Sequence, residues 1–245
     1  MPDYSDAYVT IATYNERENL PRVLEAVARN APGLNVIVID DGSPDGTGDL
    51  ADELARDRRW LTVIHRAGKG GYASAHITGI KQALDRGAQR LLTMDADLSH
   101  DPVVLPAILE GLESYDLVLG SRYVKGGGTR NWGLVRRALS RFGSFYARTI
   151  LGLRQRDCTG GYRGYRADLV QRSGMLETKT SGYGFLVEVL YRCVQAGARV
   201  LEVPIIFTDR QFGKSKLSQA IMFEAALVPW RLRLSGRCQT PGLTE

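Results

Sequence analysis

The chain's 245 residues, 44% hydrophobic and 24% charged, are enough for one large α/β domain and exclude a disordered or fibrous protein. The formal net charge of +5 is uneven, with nine Lys or Arg and no Asp or Glu between residues 122 and 156; such a local basic field suits phosphates, an anionic membrane surface or nucleic acid. Three cysteines in no metal or disulfide spacing suggest a reducing, cytosolic setting, and no basic-then-apolar leader or bilayer-length apolar run is seen.

In chain order, "YVTIA" and "NVIVID" read as buried strands separated by a helix from Glu18 to Arg29. A helix follows Thr47, then the strand "LTVIH", a helix from about Tyr72 to Asp85, and a strand at Leu91. "PVVLPAILEGL" is helical and "DLVLG" is another strand. This alternation predicts a mostly parallel central sheet with helices on both faces. Two amphipathic stretches follow, Trp132–Leu151 and Leu217–Leu234, and Pro229 is expected to kink or interrupt the second. In the first, Val135, Leu139, Phe142, Phe145, Tyr146 and Ile150 share a broad stripe, with Arg136, Arg137, Arg141 and Arg148 mostly outside it. Such a helix either packs on the core or lies in a headgroup layer without spanning it. The expected division is a single domain over 7–225, with an amphipathic extension and tail over 226–245.

Ligands in open α/β folds sit beyond the carboxyl ends of the strands. Thr13, Tyr14 and Glu16, then Asp40 and Asp41, then Asp95, Ala96 and Asp97 all fall at such ends. The D-x-D pair Asp95 and Asp97 offers hard oxygen ligands for Mg²⁺ or Mn²⁺ held against a diphosphate. Asp40 and Asp41 can accept hydrogen bonds from a ribose or base, Tyr14 can pack near a base, and Glu16 can add a polar contact. In "FTDRQFGKSKL", Arg210, Lys214 and Lys216 surround Gly213 in a basic loop able to close over a diphosphate, with Arg210 the leading candidate for neutralising phosphate charge. Arg122 and Arg130 bracket the glycines at 126–128 and can hold a second phosphate. No Rossmann or phosphate-loop pattern occurs. His65, His76 and His100 have no zinc spacing, and no Ser-His-Asp arrangement is identifiable. No familiar nucleic-acid motif accompanies the basic stretch, so nucleic acid is not an expected partner.

Seven blocks in order, "TYNERENL", "IDDGSPDGT", "MDADLSHDP", "GSRYVKGGG", "DCTGGYRGYR", "SGYGFLVEV" and "VPIIFTDRQFGKSKLS", resemble the family 2 glycosyltransferases of GT-A fold, and within them the polyprenol-phosphate (dolichol-phosphate) mannose synthases. The resemblance covers roughly residues 7–225. It implies one nucleotide-sugar-binding α/β domain with peripheral amphipathic helices. Tyr14, Glu16, Asp40 and Asp41 would line the nucleotide pocket, and Asp95 and Asp97 would engage Mg²⁺ or Mn²⁺. Arg122 and Arg130 would hold the acceptor phosphate, while Arg210 and Lys216 would serve the transfer site together with Asp97. Asp157, Thr159 and Arg163 would shape the sugar or acceptor side, and Glu188 matches a recurrent acidic position. Ser99 stands where some relatives carry a metal-contacting glutamine. Gly71-Tyr72, His76 and Leu186 also depart from the common pattern.

What the resemblance implies chemically is inverting transfer of mannose from GDP-mannose to a polyprenyl monophosphate, giving a β-mannosyl phosphodiester and GDP. The acceptor phosphate is already anionic near neutral pH and needs no strong general base. The expected setting is peripheral, on the cytoplasmic side of a membrane, with a separate membrane-anchor protein as a further partner. Two alternatives stand beside it: a polyprenol-phosphate glucosyltransferase using UDP-glucose, and a noncatalytic nucleotide-sugar-binding regulator.

Overall fold

The computed structural model describes residues 3–68, 70–178, 180, 182–209 and 219–235, with the backbone alone for Tyr183, 219–225 and Ser235. Strand β1 (Ala7–Thr13) lies between β2 (Asn35–Asp40) and β4 (Arg90–Asp95), and β3 (Leu61–His65) forms the outer edge beyond β2. All four run parallel. Their alternation is visible in the packing. Val36 and Val38 face one core, while Ile37 and Ile39 face the other. A strand buried on both faces needs apolar residues at every position, which explains the unbroken "VIVI".

Helices α1 (Leu20–Asn30), α2 (Thr47–Ala55) and α4 (Leu105–Ser114) cover the first face; one 3₁₀ turn, Pro102–Val104, leads into α4. Helix α3 (Tyr72–Asp85) covers the second face. It approaches closely because Gly79 carries no side chain: a Cβ there would sit 2.6 Å from Ile39 and 2.9 Å from Thr10.

Beyond β4 the sheet continues through β7 (Arg163–Arg166), β5 (Leu117–Ser121) and β8 (Val200–Pro204), giving the order β3-β2-β1-β4-β7-β5-β8. Strand β7 is antiparallel to both neighbours. A small second sheet pairs β6 (Gly128–Arg130) with β9 (Ile206–Thr208) in parallel. Helices α6 (Ala167–Ser173) and α7 (Gly182–Gln195) complete the second layer, with Ala147 and Leu151 from the end of α5 (Leu134–Leu151). The fold is therefore the expected single α/β domain with a mostly parallel sheet and helices on both faces.

Helix α8 (Gln219–Ser235) continues through Pro229, where a kink or interruption was expected. It docks on α5 through Tyr146 Oη to the Ala226 carbonyl (2.9 Å), Trp230 Nε1 to Tyr146 Oη (3.0 Å) and Arg233 to the Ile150 carbonyl (2.5 Å). Val228 is buried, and a Cβ on Gly184 of α7 would meet it at 2.8 Å.

Candidate active site

The first acidic pair closes the ends of β1 and β2. Register places Thr13 beside Asp40, and the Thr13 hydroxyl donates to Asp40 Oδ1 at 3.0 Å. Ser43 adds its hydroxyl (2.5 Å) and its N–H (3.0 Å) to the same carboxylate. Asp40 is thus a buried, well-held wall. Asp41 meets the Arg66 guanidinium at 2.8 Å and accepts from the Gly71 N–H at 3.1 Å. Arg66, at the end of β3, was not singled out from sequence, although a cation one residue past a strand that pairs with Asp40 was a usable signal. Glu16 accepts from the Asn19 side chain at 2.8 Å, and its own N–H donates to the Thr47 hydroxyl at 3.0 Å. Tyr14 is half-buried beside them.

Asp95 ends β4 directly beside Ala12 of β1. Asp40 and Asp95 therefore sit two strand spacings apart, about 10 Å, on one edge of the sheet. The chain then turns sharply, with Leu98 in the left-handed region at φ 60°. A side-chain-bearing residue held there stores about 1–3 kcal/mol of strain and marks a constrained loop. Asp97 accepts from the Ser99 N–H at 3.0 Å, and Ala96 is buried between the carboxylates. The Asp95 N–H donates to His100 Nδ1 at 3.0 Å. The accepting Nδ1 braces the loop from beside the Asp95 carboxylate, which lies 3.7 Å away. Its ring is stacked on Tyr162 at 4.8 Å and meets the edge of Phe207 at 5.3 Å.

Two carboxylates and the buried, unpartnered Ser99 hydroxyl make an all-oxygen donor set, which fits Mg²⁺ or Mn²⁺ rather than a softer ion. Among the described residues no cluster of three or more His, Cys, Asp or Glu could hold a metal alone. Such a site fits an ion that completes its shell with water and phosphate oxygens.

The basic half begins at the end of β5. Arg122 donates from Nε (2.7 Å), Nη2 (2.7 Å) and its backbone N–H (3.0 Å) to the Asp157 carboxylate, and from Nη2 to the Thr159 hydroxyl (2.9 Å). Burial alone pushes the Asp157 carboxyl up, but the Arg122 charge and hydrogen bonds outweigh it and hold it below the usual carboxylate range. The Arg122 guanidinium also lies 5.2 Å from the Tyr123 ring and 5.6 Å from that of Trp132. Trp132 in turn carries Arg136 at 4.2 Å and meets Phe207 at 5.4 Å. The aromatic series His100, Phe207, Trp132 thus joins the acidic loop to the basic side.

Arg163 is fully enclosed, and its donors go to the carbonyls of Gly160 (2.8 Å), Leu186 (2.8 Å) and Cys158 (3.0 Å). It shapes the 157–163 loop from beneath and is not exposed to a ligand. Glu188 accepts from the Thr180 hydroxyl (2.7 Å) and Arg192 (2.8 Å), a helix-anchoring role. Arg130 is exposed at the end of β6, and its carbonyl accepts the Asp209 N–H at 3.1 Å. Arg210, Lys214 and Lys216 lie outside the described residues. Glu202, which accepts the backbone N–H groups of Arg156 (2.8 Å) and Asp157 (3.0 Å), was missed. A lone acid within a strand gives no sequence signal for that task.

An edge of strand-end carboxylates beside a basic flank suits a metal-bridged diphosphate on one side and a second phosphate on the other. The chain belongs to the family described as Glycosyl transferase family 2, whose model matches residues 8–174. It is 44% identical over 227 residues to an undecaprenyl-phosphate mannosyltransferase of Micrococcus luteus, covering 93% of both chains. It is 42% identical over 229 residues to a polyprenol monophosphomannose synthase of Mycolicibacterium smegmatis, covering 92% of this chain and 86% of that one. Among solved structures, the glucosyl-3-phosphoglycerate synthase of Mycobacterium tuberculosis, bound to Mn²⁺, UDP-glucose and phosphoglyceric acid, superposes with a TM-score of 0.64 at 16% identity over 97% of this chain and 81% of that one. The mannosyltransferase PcManGT of Pyrobaculum calidifontis, with GDP-mannose and Mn²⁺, gives 0.56 at 15% identity over 99% and 79%. These distant likenesses establish the shared fold.

Proposed function

We infer that this chain transfers mannose from GDP-mannose to a polyprenyl monophosphate, with inversion, releasing GDP. The observation that carries the reading is similarity along nearly the whole chain to two polyprenyl-phosphate mannose transferases, joined to an acidic edge that suits a metal-bridged diphosphate. In this proposal Tyr14, Glu16, Asp40 and Asp41 form the nucleotide wall. Asp95 and Asp97, with Ser99 beside them, would hold Mg²⁺ or Mn²⁺. When bound, that ion supplies charge neutralisation for the departing diphosphate. Arg122 and Arg130 would hold the acceptor phosphate, Arg122 being positioned by Asp157 and Thr159 on the loop that the enclosed Arg163 shapes. Arg210 and Lys216 are proposed to complete the cation set on the donor diphosphate.

The protein's own work is alignment. The acceptor oxygen is nucleophilic without a base, so catalysis lies in holding it in line with the anomeric carbon and keeping water out. His100 contributes by fixing the backbone at Asp95 through Nδ1.

The lipid acceptor is reached from a membrane surface. No helix among the described residues is long and apolar enough to cross a membrane. Support for a surface location comes from α5, where Leu134 is 79% exposed and Val135 74%, with Leu139, Phe142 and Phe145 also exposed. A separate membrane-anchor protein belongs to the same proposal: Leu227, Trp230 and Leu234 of α8 are exposed alongside α5 and offer it an apolar face.

Radiolabelled GDP-mannose and UDP-glucose, each supplied with polyprenyl phosphate in liposomes and Mg²⁺, test the reading. Selective mannosyl-lipid formation is expected. Selective glucosyl-lipid formation, or nucleotide binding without turnover, would refute it.

A further inference from the structure

A cavity of about 320 Å³ opens beside α5, lined by Tyr123, Arg141, Phe145, Arg148 and Arg156. It carries three guanidinium groups and no acid. None of the three forms an ion pair among the described residues, unlike Arg122 and Arg136, which are committed to Asp157 and Asp209. The carboxylates near this loop are occupied elsewhere: Asp157 by Arg122, Glu202 by the backbone of Arg156 and Asp157.

The cavity is also held in shape. Arg141, Phe145 and Arg148 stand at i, i+4 and i+7 and so share one face of the helix. Tyr123 is tied to that helix by its hydroxyl, 2.7 Å from Ser140 Oγ. The Arg141 guanidinium lies 5.9 Å from the centre of the Tyr123 ring, and that of Arg148 lies 5.8 Å from the Phe145 ring. A guanidinium set over a ring retains its in-plane N–H donors for a further partner. Phe145 both walls the cavity and stands 55% exposed, next to Phe142 at 61% on the apolar ridge. A group bound here therefore sits level with side chains suited to the acyl boundary of a bilayer.

We propose that Arg141, Arg148 and Arg156 form a cradle for the phosphate of an anionic phospholipid headgroup, separate from the acceptor and donor sites and fixing the angle at which the domain sits on the membrane. This rests on the reading that the chain works at a membrane surface. Charge complementarity and continuity with the α5 ridge select this occupant. A freely diffusing anion would need no apolar neighbours.

The test is co-sedimentation of the full chain with phosphatidylcholine vesicles, with and without phosphatidylglycerol. Compared with it are the Arg148→Gln/Arg156→Gln variant and a control pair, Arg137→Gln/Arg154→Gln, which removes the same charge from exposed residues of the same segment. Thermal unfolding confirms that each is folded. The cradle pair is expected to lose about tenfold more affinity for the phosphatidylglycerol vesicles than the control pair, since it loses directed hydrogen bonds in addition to diffuse attraction. Equal losses overturn the cradle while leaving membrane association standing. Failure of the unaltered chain to bind any vesicle overturns the membrane reading itself. If instead the cradle pair binds vesicles like the control but raises KM for detergent-dispersed polyprenyl phosphate tenfold, the cavity is an acceptor site and the headgroup assignment is refuted.

Discussion

Replacing His76 should flatten the acid sensitivity of this domain. His76 lies in α3, fully buried, with Nδ1 3.1 Å from the Thr10 hydroxyl and Nε2 without a partner. The Thr10 hydroxyl also lies 3.2 Å from the Leu92 carbonyl. With its single proton directed there, His76 donates from Nδ1 and Nε2 keeps a bare lone pair. A proton added to Nε2 would meet no acceptor. Burial, with a smaller contribution from His100, pushes the imidazole from 6.5 down to about 3. Between those values the unfolded chain binds a proton that the folded chain does not, so stability is full above 6.5 and falls as pH drops through the window. The loss approaches ~5 kcal/mol near pH 3 and is ~2 kcal/mol at pH 5. For a domain of this size that corresponds to a Tm roughly 4–8 °C lower at pH 5 than at neutrality from this group alone. His76→Asn keeps a donor near the Thr10 hydroxyl and removes the titration. Any cavity it leaves lowers stability at both pH values and drops out of the difference. Differential scanning calorimetry of both proteins at pH 7.5 and pH 5 reads the two differences. An identical pH-dependent change in Tm for the two would refute the assignment.

Asp95→Asn and Asp97→Asn should each lower mannosyl transfer by about 100-fold or more while Tm stays near that of the parent; substantial activity in both would remove the carboxylates from the metal role. Arg122→Met leaves the buried Asp157 carboxylate uncompensated and should cost about 3–5 kcal/mol, seen as a reduced urea midpoint. Because the Asp157 carboxyl is held below its usual 3.8, that pair's contribution is present at neutral pH and is lost as pH falls below about 4 and through the folded value. Arg137→Glu should weaken vesicle binding with Tm unchanged, since Arg137 is exposed. Arg136→Glu should also lower Tm, because it breaks the 2.6 Å pair with Asp209 and the stack on Trp132. Unaltered vesicle binding by Arg137→Glu would count against α5 lying at the interface.

The first half of the fold was legible because its inner strands β2 and β4 are buried on both faces and so are apolar almost throughout. "NVIVID" and "LLTMD" announce themselves, and the carboxylates that end them mark the edge where ligands gather. Strand β7 was not legible. "RGYR" has no apolar run, since Gly164 is there to clear Ile108 of α4, where a Cβ would come within 2.5 Å, and Arg163 is buried only because three carbonyls receive it. The bracing of Asp95 by His100 was hidden for a related reason: a histidine five residues on can cap, ligate or stack, and only the Nδ1 geometry decides. The α5 stripe was read as one continuous face. In the structure it divides, with Tyr146 and Ile150 half-buried near the carboxyl end and Val135, Leu139, Phe142 and Phe145 exposed nearer the amino end, while the buried residues Ala147 and Leu151 lie outside the stripe. Periodicity marks an apolar face but cannot say what covers each turn of it.

The separation of charge follows from the proposed reaction. In the proposed site Asp95 and Asp97 would repel a nucleotide-sugar diphosphate unless a divalent ion lay between, which would make donor binding depend on the metal, whereas Asp41 is already paired with Arg66. An acceptor phosphate attached to a membrane lipid has no such ion to accompany it and must be met by fixed cations. The stretch from 122 to 156 carries nine cations and no acid, of which Arg122 and Arg136 are held by Asp157 and Asp209. Were the two charge sets interleaved, they would neutralise each other as surface pairs and neither phosphate would be favoured. The boundary between them runs through the aromatic rings of His100, Phe207 and Trp132, which pack the acidic loop against the basic flank. Proximity of two anions during transfer is thereby secured by packing, with each anion compensated by its own partner.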